Sequence, residues 1–579
     1  MFDLLIRGAE IIDGTGKFRY QADLAVNGGK IAEIGQLPEA KARRVIDARG
    51  LYLMPGFIDV HSHADLIFHK EGAVGLVEPL IRQGITTFVG GNCGMGLAPV
   101  PEPNRNFVHS YWEAFTADDV KAGVSWDSMG QFMDYLNGRG VPLNMALLVP
   151  HGILRLGAVG PKMGKAHPDQ IRQMSRWLEE AMDDGAIGLS TGLQYFPGSQ
   201  SDNLELIDLA RVVSRRRGVF TSHLRSYSAT LPQAINEVLQ VAEEADVPVQ
   251  ISHLFWIPDQ GPLINSLTHN VAKLGSAVYK HVQVPVPLDL AVRQLLGDIH
   301  RRRDAGRLRV GIDAMPTSAG FTHLIAFFPP WVLEGMSREN IVERLADKKT
   351  RRRIRRDIEK GDTRAWPHDR DNTWSMNFFK IMGWSTAFIM SVPSEKNRHL
   401  EGKNLVEIGK MWKMHPIDAA CELLIQEEGR VLVFETLTRP GDDFVERSLY
   451  ASMADPHVSI VTDAILMGFG RPSHLFYDCY PKFFQKYVRD LGMVSWEAGV
   501  RKCTGLSADT LGLRGRGYLK RGYAADLVLL DPQTIGTTAT FDNPRQYPTG
   551  IRLVAINGKI VVEEEKYHGD LLAGEVIQQ

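Results

Sequence analysis

The residues of this sequence best suited to chemistry are four imidazoles, one thiol and one carboxylate, scattered over some four hundred positions. His61 and His63 stand in MPGFIDVHSHAD, residues 54–65, directly after the apolar run Phe57–Val60. In a strand, residues i and i+2 point to the same side, so both rings can face one point. Cys93 sits in Gly91-Asn92-Cys93-Gly94, after the run Thr86–Gly90. His223 and His253 each follow an apolar stretch, Val219–Ser222 and Val249–Ser252, and Asp463 follows Ser459-Ile460-Val461-Thr462. Singly, each has a bland explanation: a buried cysteine, a hydrogen-bonded histidine, an aspartate that opens a turn. Six such residues at five strand ends point instead to a metal site with nitrogen, sulfur and oxygen donors.

Side chains so distant in sequence need a scaffold that gathers strand ends. The middle of the chain alternates short apolar runs with amphipathic stretches. Expected strands are Phe57–Val60, Thr86–Gly90, Met145–Val149, Ala186–Thr191, Val219–His223, Pro248–His253, Leu308–Ala314 and Val458–Asp463. Expected helices include Val74–Gln83, Pro168–Asp184, Asn203–Arg217, Leu231–Ala245, Leu288–Arg303, Pro416–Glu428, Lys482–Leu491 and Trp496–Thr504. About eight such rounds predict a parallel α/β fold, a (β/α)8 TIM-like barrel, with a doubly wound sheet as the alternative. In a barrel, the C-terminal strand ends form the active face, where all six residues fall.

The two ends of the chain differ from the middle. LAVNGGKIAEIG near the N-terminus and LVAINGKIVVEE near the C-terminus both read as hairpins turning at Asn-Gly. One small β-sandwich domain formed from both termini is the economical reading. The expected division is residues 1–54 and 506–579 for that domain and 55–505 for the barrel, with insertions near 94–126 and 320–375. The second insertion carries KKTRRRIRRDIEKGD, whose basic stretch (348–360) reads as a solvated helix face diluted by acidic neighbours rather than a nucleic-acid patch.

Composition narrows the function classes. Lys+Arg is 66 and Asp+Glu is 68 in 579 residues, a formal net charge of −2, so no global field attracts nucleic acid or an anionic membrane. The 44% hydrophobic and 23% charged content is that of a globular protein. No apolar run approaches the ~20 residues of a spanning helix. The four cysteines are too few and scattered for a disulfide framework, and Asp3, Arg7 and Glu10 interrupt any secretory signal, so a cytoplasmic protein is expected. The oligomeric state is left open, a homo-oligomer included.

The motifs resemble those of the amidohydrolase superfamily, and most of all the N-acyl-D-amino-acid deacylase (D-aminoacylase) family. The matching segments are PGFIDVHSHAD (55–65), GNCG (91–94), GAIGLSTGLQYFPG (185–198), SHLR (222–225), ISH (251–253), TDA (462–464), LRGRGYLKRGYAADLVLLDP (513–532) and QYPTGIRLVAINGK (546–559). They run in order over almost the whole chain. The resemblance implies a zinc-dependent hydrolase of C–N bonds other than standard peptide bonds, acting on a small-molecule amide. It implies a tightly held zinc on Cys93, His223 and His253, a second, weaker metal position at His61 and His63, and Asp463 as catalytic residue and metal neighbour. Such a site activates water, Asp463 carries the proton from water to the leaving nitrogen, and Tyr195 is the candidate donor to the oxyanion.

Substrate recognition is expected from Arg225, as a fork for a carboxylate, from His151 after the third inner strand, and from Leu254 and Phe255. Arg471 and His474 are expected to reach the site from the loop after Asp463. This sequence has Ser226-Tyr227-Ser228 where relatives commonly carry an acidic residue, and Leu254-Phe255-Trp256 where close relatives carry a lysine. These departures keep open a cyclic, aryl or peptide-like amide or an ester as substrate. A non-catalytic barrel serving binding or assembly is the reading from another class.

Overall fold

The computed structural model describes residues 1–116, 124–257, 259, 271–272, 274–279, 287–306, 308–335, 337–362 and 374–578. Parts of the two expected insertions, 117–123 and 363–373, lie outside the described residues. In chain order the strands are β1 (Phe2–Ile11), β2 (Tyr20–Asn27), β3 (Lys30–Gly35), β4 (Ala42–Asp47), β5 (Tyr52–Pro55), β6 (Phe57–Asp59), β7 (Ile85–Gly90), β8 (Asn144–Pro150), β9 (Gly188–Gly192) and β10 (Val219–His223). They continue with β11 (Val249–Ile251), β12 (Val310–Ala314), β13 (Gly320–His323), β14 (Ala387–Ser391), β15 (Leu432–Glu435), β16 (Val458–Ile460), β17 (Leu527–Leu530), β18 (Ile551–Ile556) and β19 (Lys559–Glu563).

Eight strands pair in parallel in the order β6-β7-β8-β9-β10-β11-β12-β16. Their residues are buried almost without exception, as parallel strands covered on both faces must be. The ring is drawn together between its first and last strands by loop backbone. The Asp463 N–H donates to the His61 carbonyl at 2.9 Å, and the His63 N–H to the Ala464 carbonyl at 2.9 Å. Asp59, buried in β6, accepts from the Thr462 N–H at 3.1 Å and from its hydroxyl. The closure of the barrel is thus made by the same segments that carry His61, His63 and Asp463.

The chain's two ends meet in a second sheet. β17 runs antiparallel to β5, from Leu527 opposite Pro55 to Leu530 opposite Tyr52. The sheet continues through β18 and β19 on one side and through β1, β2 and β3 on the other. Both expected hairpins form, and their turns carry positive φ at Gly28 and Gly29 and at Asn557 and Gly558, as Asn-Gly hairpin turns require. This sheet has its own apolar cluster, in which Ile6, Ile11 and Leu24 from one end pack with Leu527, Leu529 and Leu553 from the other.

The helices follow the amphipathic stretches, with Leu231–Ala245 found as expected and Pro168–Asp183 and Asn203–Arg215 ending slightly early. A small antiparallel sheet, β13-β15-β14, is an addition that periodicity does not foretell, because its strands have only four or five residues. The basic stretch is a helix, Lys348–Lys360, capped by Asp347 and anchored by buried Ile354 and Ile358. Its arginines have local partners: Arg351 pairs with Glu422 at 3.2 Å, Arg355 with Glu359 at 2.8 Å, and Arg353 lies 3.9 Å over the Trp331 ring. Among the described residues no helix is long and apolar enough to cross a membrane.

Candidate metal centre

The six predicted donors converge at the C-terminal mouth of the barrel, all nearly or fully buried. His61 Nε2 lies 3.1 Å from Cys93 Sγ and 3.4 Å from Asp463 Oδ1. His63 Nε2 lies 3.3 Å from the same Asp463 oxygen. Cys93 Sγ is 3.6 Å from His223 Nδ1 and 3.7 Å from His253 Nε2, and those two nitrogens are 3.0 Å apart. Two overlapping donor groups result: His61, Cys93 and His253, and His61, His63 and Asp463.

The local backbone explains how strand-end residues turn inward. Cys93, His253 and Asp463 all adopt positive φ, at 53°, 31° and 53°. Non-glycine residues rarely do so, and such strain clusters at functional sites. Around Cys93 two glycine positions have no room for a side chain. A Cβ on Gly91 would lie 2.2 Å from the Leu148 carbonyl oxygen, and one on Gly192 would lie 2.1 Å from the Cys93 carbonyl oxygen. Two glycines therefore let the thiol-bearing turn seat against β8 and β9.

The donor set fits a metal ion. Burial pushes His61 and His223 well below the usual imidazole range, with neighbouring histidines adding to the effect, so the rings are neutral donors. Burial also lowers His253. The Cys93 thiol is pushed the other way, by burial first and then by Asp463 and Asp313. A thiolate in such surroundings requires a cation beside it. Tetrahedral zinc, with Zn–S of about 2.3 Å and Zn–N of about 2.1 Å, would set sulfur and nitrogen roughly 3.6 Å apart. Cys93 stands at that separation from His223 and His253.

Several supporting residues escaped the sequence reading. Asp313, at the end of β12, accepts from the His253 N–H at 2.5 Å and from Gln250 Nε2 at 2.6 Å. It also stands 3.8 Å from His61 Nδ1, and burial raises its carboxyl to about 7. The signal available was a single acid near the end of the predicted strand Leu308–Ala314. Gln194 Oε1 meets His223 Nε2 at 3.2 Å. Tyr227 accepts from the Leu224 N–H at 2.9 Å, donates to the Ser252 carbonyl at 3.1 Å, and stacks on Phe255 with ring centroids 4.5 Å apart. It locks the loops after β10 and β11 to each other.

The predicted substrate residues divide. Tyr195 is buried with its ring 4.5 Å from that of His223, and burial holds its phenol well above the usual range. Leu254 and Phe255 line a pocket next to His253. The other four are engaged elsewhere. Arg225 is buried; its Nε donates to both oxygens of Glu237 at 3.0 and 2.9 Å, and Nη1 and Nη2 donate to the carbonyls of Ser199 and Ser201 at 2.9 and 3.1 Å. The fork expected to meet a substrate carboxylate therefore meets a protein one, supplied from the helix Leu231–Ala245. His151 lies under the loop, with Nε2 2.8 Å from Glu205, a carboxylate that also takes Arg155. Burial alone would raise Glu205, yet Arg155 and His151 hold it down to about 2. Arg471 lies 3.7 Å from Asp542 and is more than a third exposed, at 38%. His474 pairs with Asp478 at 2.8 Å, one helical turn on.

The Arg225–Glu237 pair gives a stability prediction. Removing one partner of a buried, hydrogen-bonded ion pair typically costs about 3–5 kcal/mol, because the other charge remains uncompensated. Glu237→Ala should lower the melting temperature by several degrees in differential scanning fluorimetry, whereas a solvent-exposed Glu→Ala control such as Glu244→Ala should not. An unchanged melting temperature in Glu237→Ala would show that the pair does not brace this wall.

A parallel barrel with imidazole, thiolate and carboxylate donors gathered at its C-terminal mouth defines a metal-dependent hydrolase-type site. The chain belongs to the amidohydrolase family, whose model matches residues 44–357 and 457–562. A D-aminoacylase from Alcaligenes xylosoxydans xylosoxydans is 30% identical over 572 residues, covering 98% of this chain and 96% of that protein. Among solved structures, an N-acyl-D-glutamate deacylase from Bordetella bronchiseptica, complexed with zinc and a phosphonate mimic of the tetrahedral intermediate, superposes with a TM-score of 0.75 at 26% identity, each chain fully covered. A D-aminoacylase described as having a binuclear metal centre gives a TM-score of 0.74 at 26% identity, again over the whole of both chains.

Proposed function

We propose that this chain is a zinc-dependent amidohydrolase that hydrolyses the amide bond of an N-acyl amino acid, D-configured as in its relatives, or of a related amide. The observation that carries the reading is the set of six buried donors, with one Asp463 oxygen 3.3–3.4 Å from two imidazoles. The kinship with a D-aminoacylase over nearly the whole chain supports the substrate class. Cys93, His223 and His253 would hold one zinc tightly, and His61 and His63, with Asp463 beside them, a second more weakly. When bound, zinc lowers the pKa of a water from about 15.7 towards 7 and polarises the scissile carbonyl.

The chain's own groups supply the rest. Asp463 takes a proton as the water oxygen bonds to the carbonyl carbon, and returns it to the nitrogen as the C–N bond breaks. The products are a carboxylate and an amine. Tyr195, its phenol kept protonated by burial, donates to the oxygen that gains charge. Asp313 holds the His253 backbone through its N–H, and Gln194 meets the ring of His223, as outer-shell partners of metal ligands do. The engagement of Arg225 by Glu237 favours keeping a cyclic, aryl or peptide-like amide, or an ester, as a second reading. The cysteines are all free and buried, which suits a cytoplasmic enzyme acting on a small molecule.

Metal analysis and substrate screening test the proposal together. Protein purified without chelator should carry at least one equivalent of zinc. It should also release amine from a panel of N-acyl-D- and L-amino acids, dipeptides and cyclic amides. Substoichiometric metal that cannot be restored by added zinc would favour a non-catalytic barrel. Full metal loading with no turnover of any N-acyl amino acid would sink the D-amino-acid reading.

A further inference from the structure

Beside His253 the barrel mouth opens into a pocket with apolar walls from Leu254, Phe255, Trp256 and Met382. Among the described residues one ionisable side chain, Glu435, lines it. This residue ends β15 and faces Gly320 on β13 in the register. A Cβ on Gly320 would lie 2.4 Å from Glu435 Oε1, so the bare backbone there leaves room for the carboxyl group. The other oxygen, Oε2, is buried and has no hydrogen-bond partner, and the same holds for the hydroxyls of Ser318, Thr436 and Ser452 in the same pocket. Burial, with Asp463 adding to it, raises the Glu435 carboxyl to about 7. Among the described residues no lysine or arginine contributes to its electrostatic surroundings.

A buried carboxyl oxygen without a donor is costly, and a charge-assisted hydrogen bond is the strongest way to satisfy it. The aromatic and aliphatic walls suit an alkyl stem, and the three unpartnered hydroxyls suit further N–H groups at its tip. We propose that Glu435 is a specificity-determining residue and that this pocket takes a substrate substituent with an apolar stem ending in a cationic amine. The proposal rests on the amide-hydrolase reading for the identity of the reacting bond. It sets this chain apart from an N-acyl-D-glutamate deacylase, because a carboxylate in the pocket would meet Glu435 as a like charge.

The test uses three ligands of similar length: N-acetyl-D-lysine, N-acetyl-D-norleucine and N-acetyl-D-glutamate. Dissociation constants are measured by calorimetry on the zinc-loaded Asp463→Asn protein, with and without Glu435→Gln, and kcat/KM on the zinc-loaded wild type. The lysine ligand should bind about 10-fold or more tightly than the other two, as a charge-assisted hydrogen bond implies, and Glu435→Gln should reduce that preference to about 3-fold or less. Equal binding of the three, preference for the glutamate ligand, or a lysine preference that survives Glu435→Gln would overturn the proposal. The ligand comparison on protein that retains Glu435 decides the matter even where the glutamine variant does not fold. A Glu435-dependent lysine preference with no hydrolysis would refute the amide-hydrolase reading and leave the subsite standing. Hydrolysis without any charge preference would do the reverse.

Discussion

Asp463→Asn will reduce kcat by about 10²–10⁴-fold, the range expected when a general acid–base is lost. The substitution keeps shape and hydrogen-bonding capacity but removes the ability to take up a proton. Position argues for the size of the effect. One Asp463 oxygen lies within 3.4 Å of both His61 and His63, and the residue is 7% exposed, so a substitute base has little access. Its backbone is fixed by the N–H donated to the His61 carbonyl, and its neighbour Thr462 is tied to Asp59. On the proposed assignment of a metal to Cys93, His223 and His253, the variant should fold and keep that metal, and single-turnover kinetics should show the loss in the chemical step. Near wild-type kcat across the pH range would remove Asp463 from the mechanism.

How much of this was legible in the sequence depends on how locally each feature is encoded. The barrel strands were readable because a parallel strand buried on both faces is a short apolar run, and Val219–His223 was found with its bounds intact. The donors were readable because they terminate such runs. What fills the space behind them was not. Arg225 was expected to point at substrate because it lies two residues past His223, yet it meets Glu237, twelve residues further on and on a separate helix. Asp313 and His253 are 60 residues apart and meet only because β11 and β12 are neighbours. Glu435 lies on a short strand of a sheet that no periodicity announced. Contacts set by tertiary adjacency leave no trace in spacing, and the left-handed backbone of Cys93, His253 and Asp463 is equally invisible in residue type.

The relocation of Arg225 and the exposure of the pocket to Glu435 bear on one question, the charge of the substrate. A deacylase for acidic substrates needs cations beside its metal centre. Here the nearest expected cation is neutralised by Glu237, and the pocket past His253 presents a carboxyl group. The catalytic core of the family and its recognition surface can vary separately, because the donors sit on strand ends while the pocket is built from loops and an added sheet.

Cys93→Ala should abolish turnover by removing the metal, a different route to loss from that of Asp463→Asn. Cys93 is the donor nearest to His61 while also facing His223 and His253, at 3.1, 3.6 and 3.7 Å, so it links the two halves of the site. Its deletion leaves the imidazoles with the carboxyl groups of Asp463 and Asp313 as their acidic neighbours, and the site loses its soft, charged ligand. Zinc content should fall below one equivalent. The stabilisation that zinc confers should also vanish: a ligand that binds only the folded state contributes about 2.7 kcal/mol at a hundred times its Kd, so wild-type protein should melt several degrees higher with zinc than after chelation. Cys93→Ala should melt at one temperature in both conditions. Because the substitution removes a buried thiol and no charge, the chelated variant should be about as stable as chelated wild type, which separates metal loss from misfolding. Retention of stoichiometric zinc, or of a zinc-dependent rise in melting temperature, would show that the histidines alone hold the ion and that Cys93 is not the ligand on which the site depends.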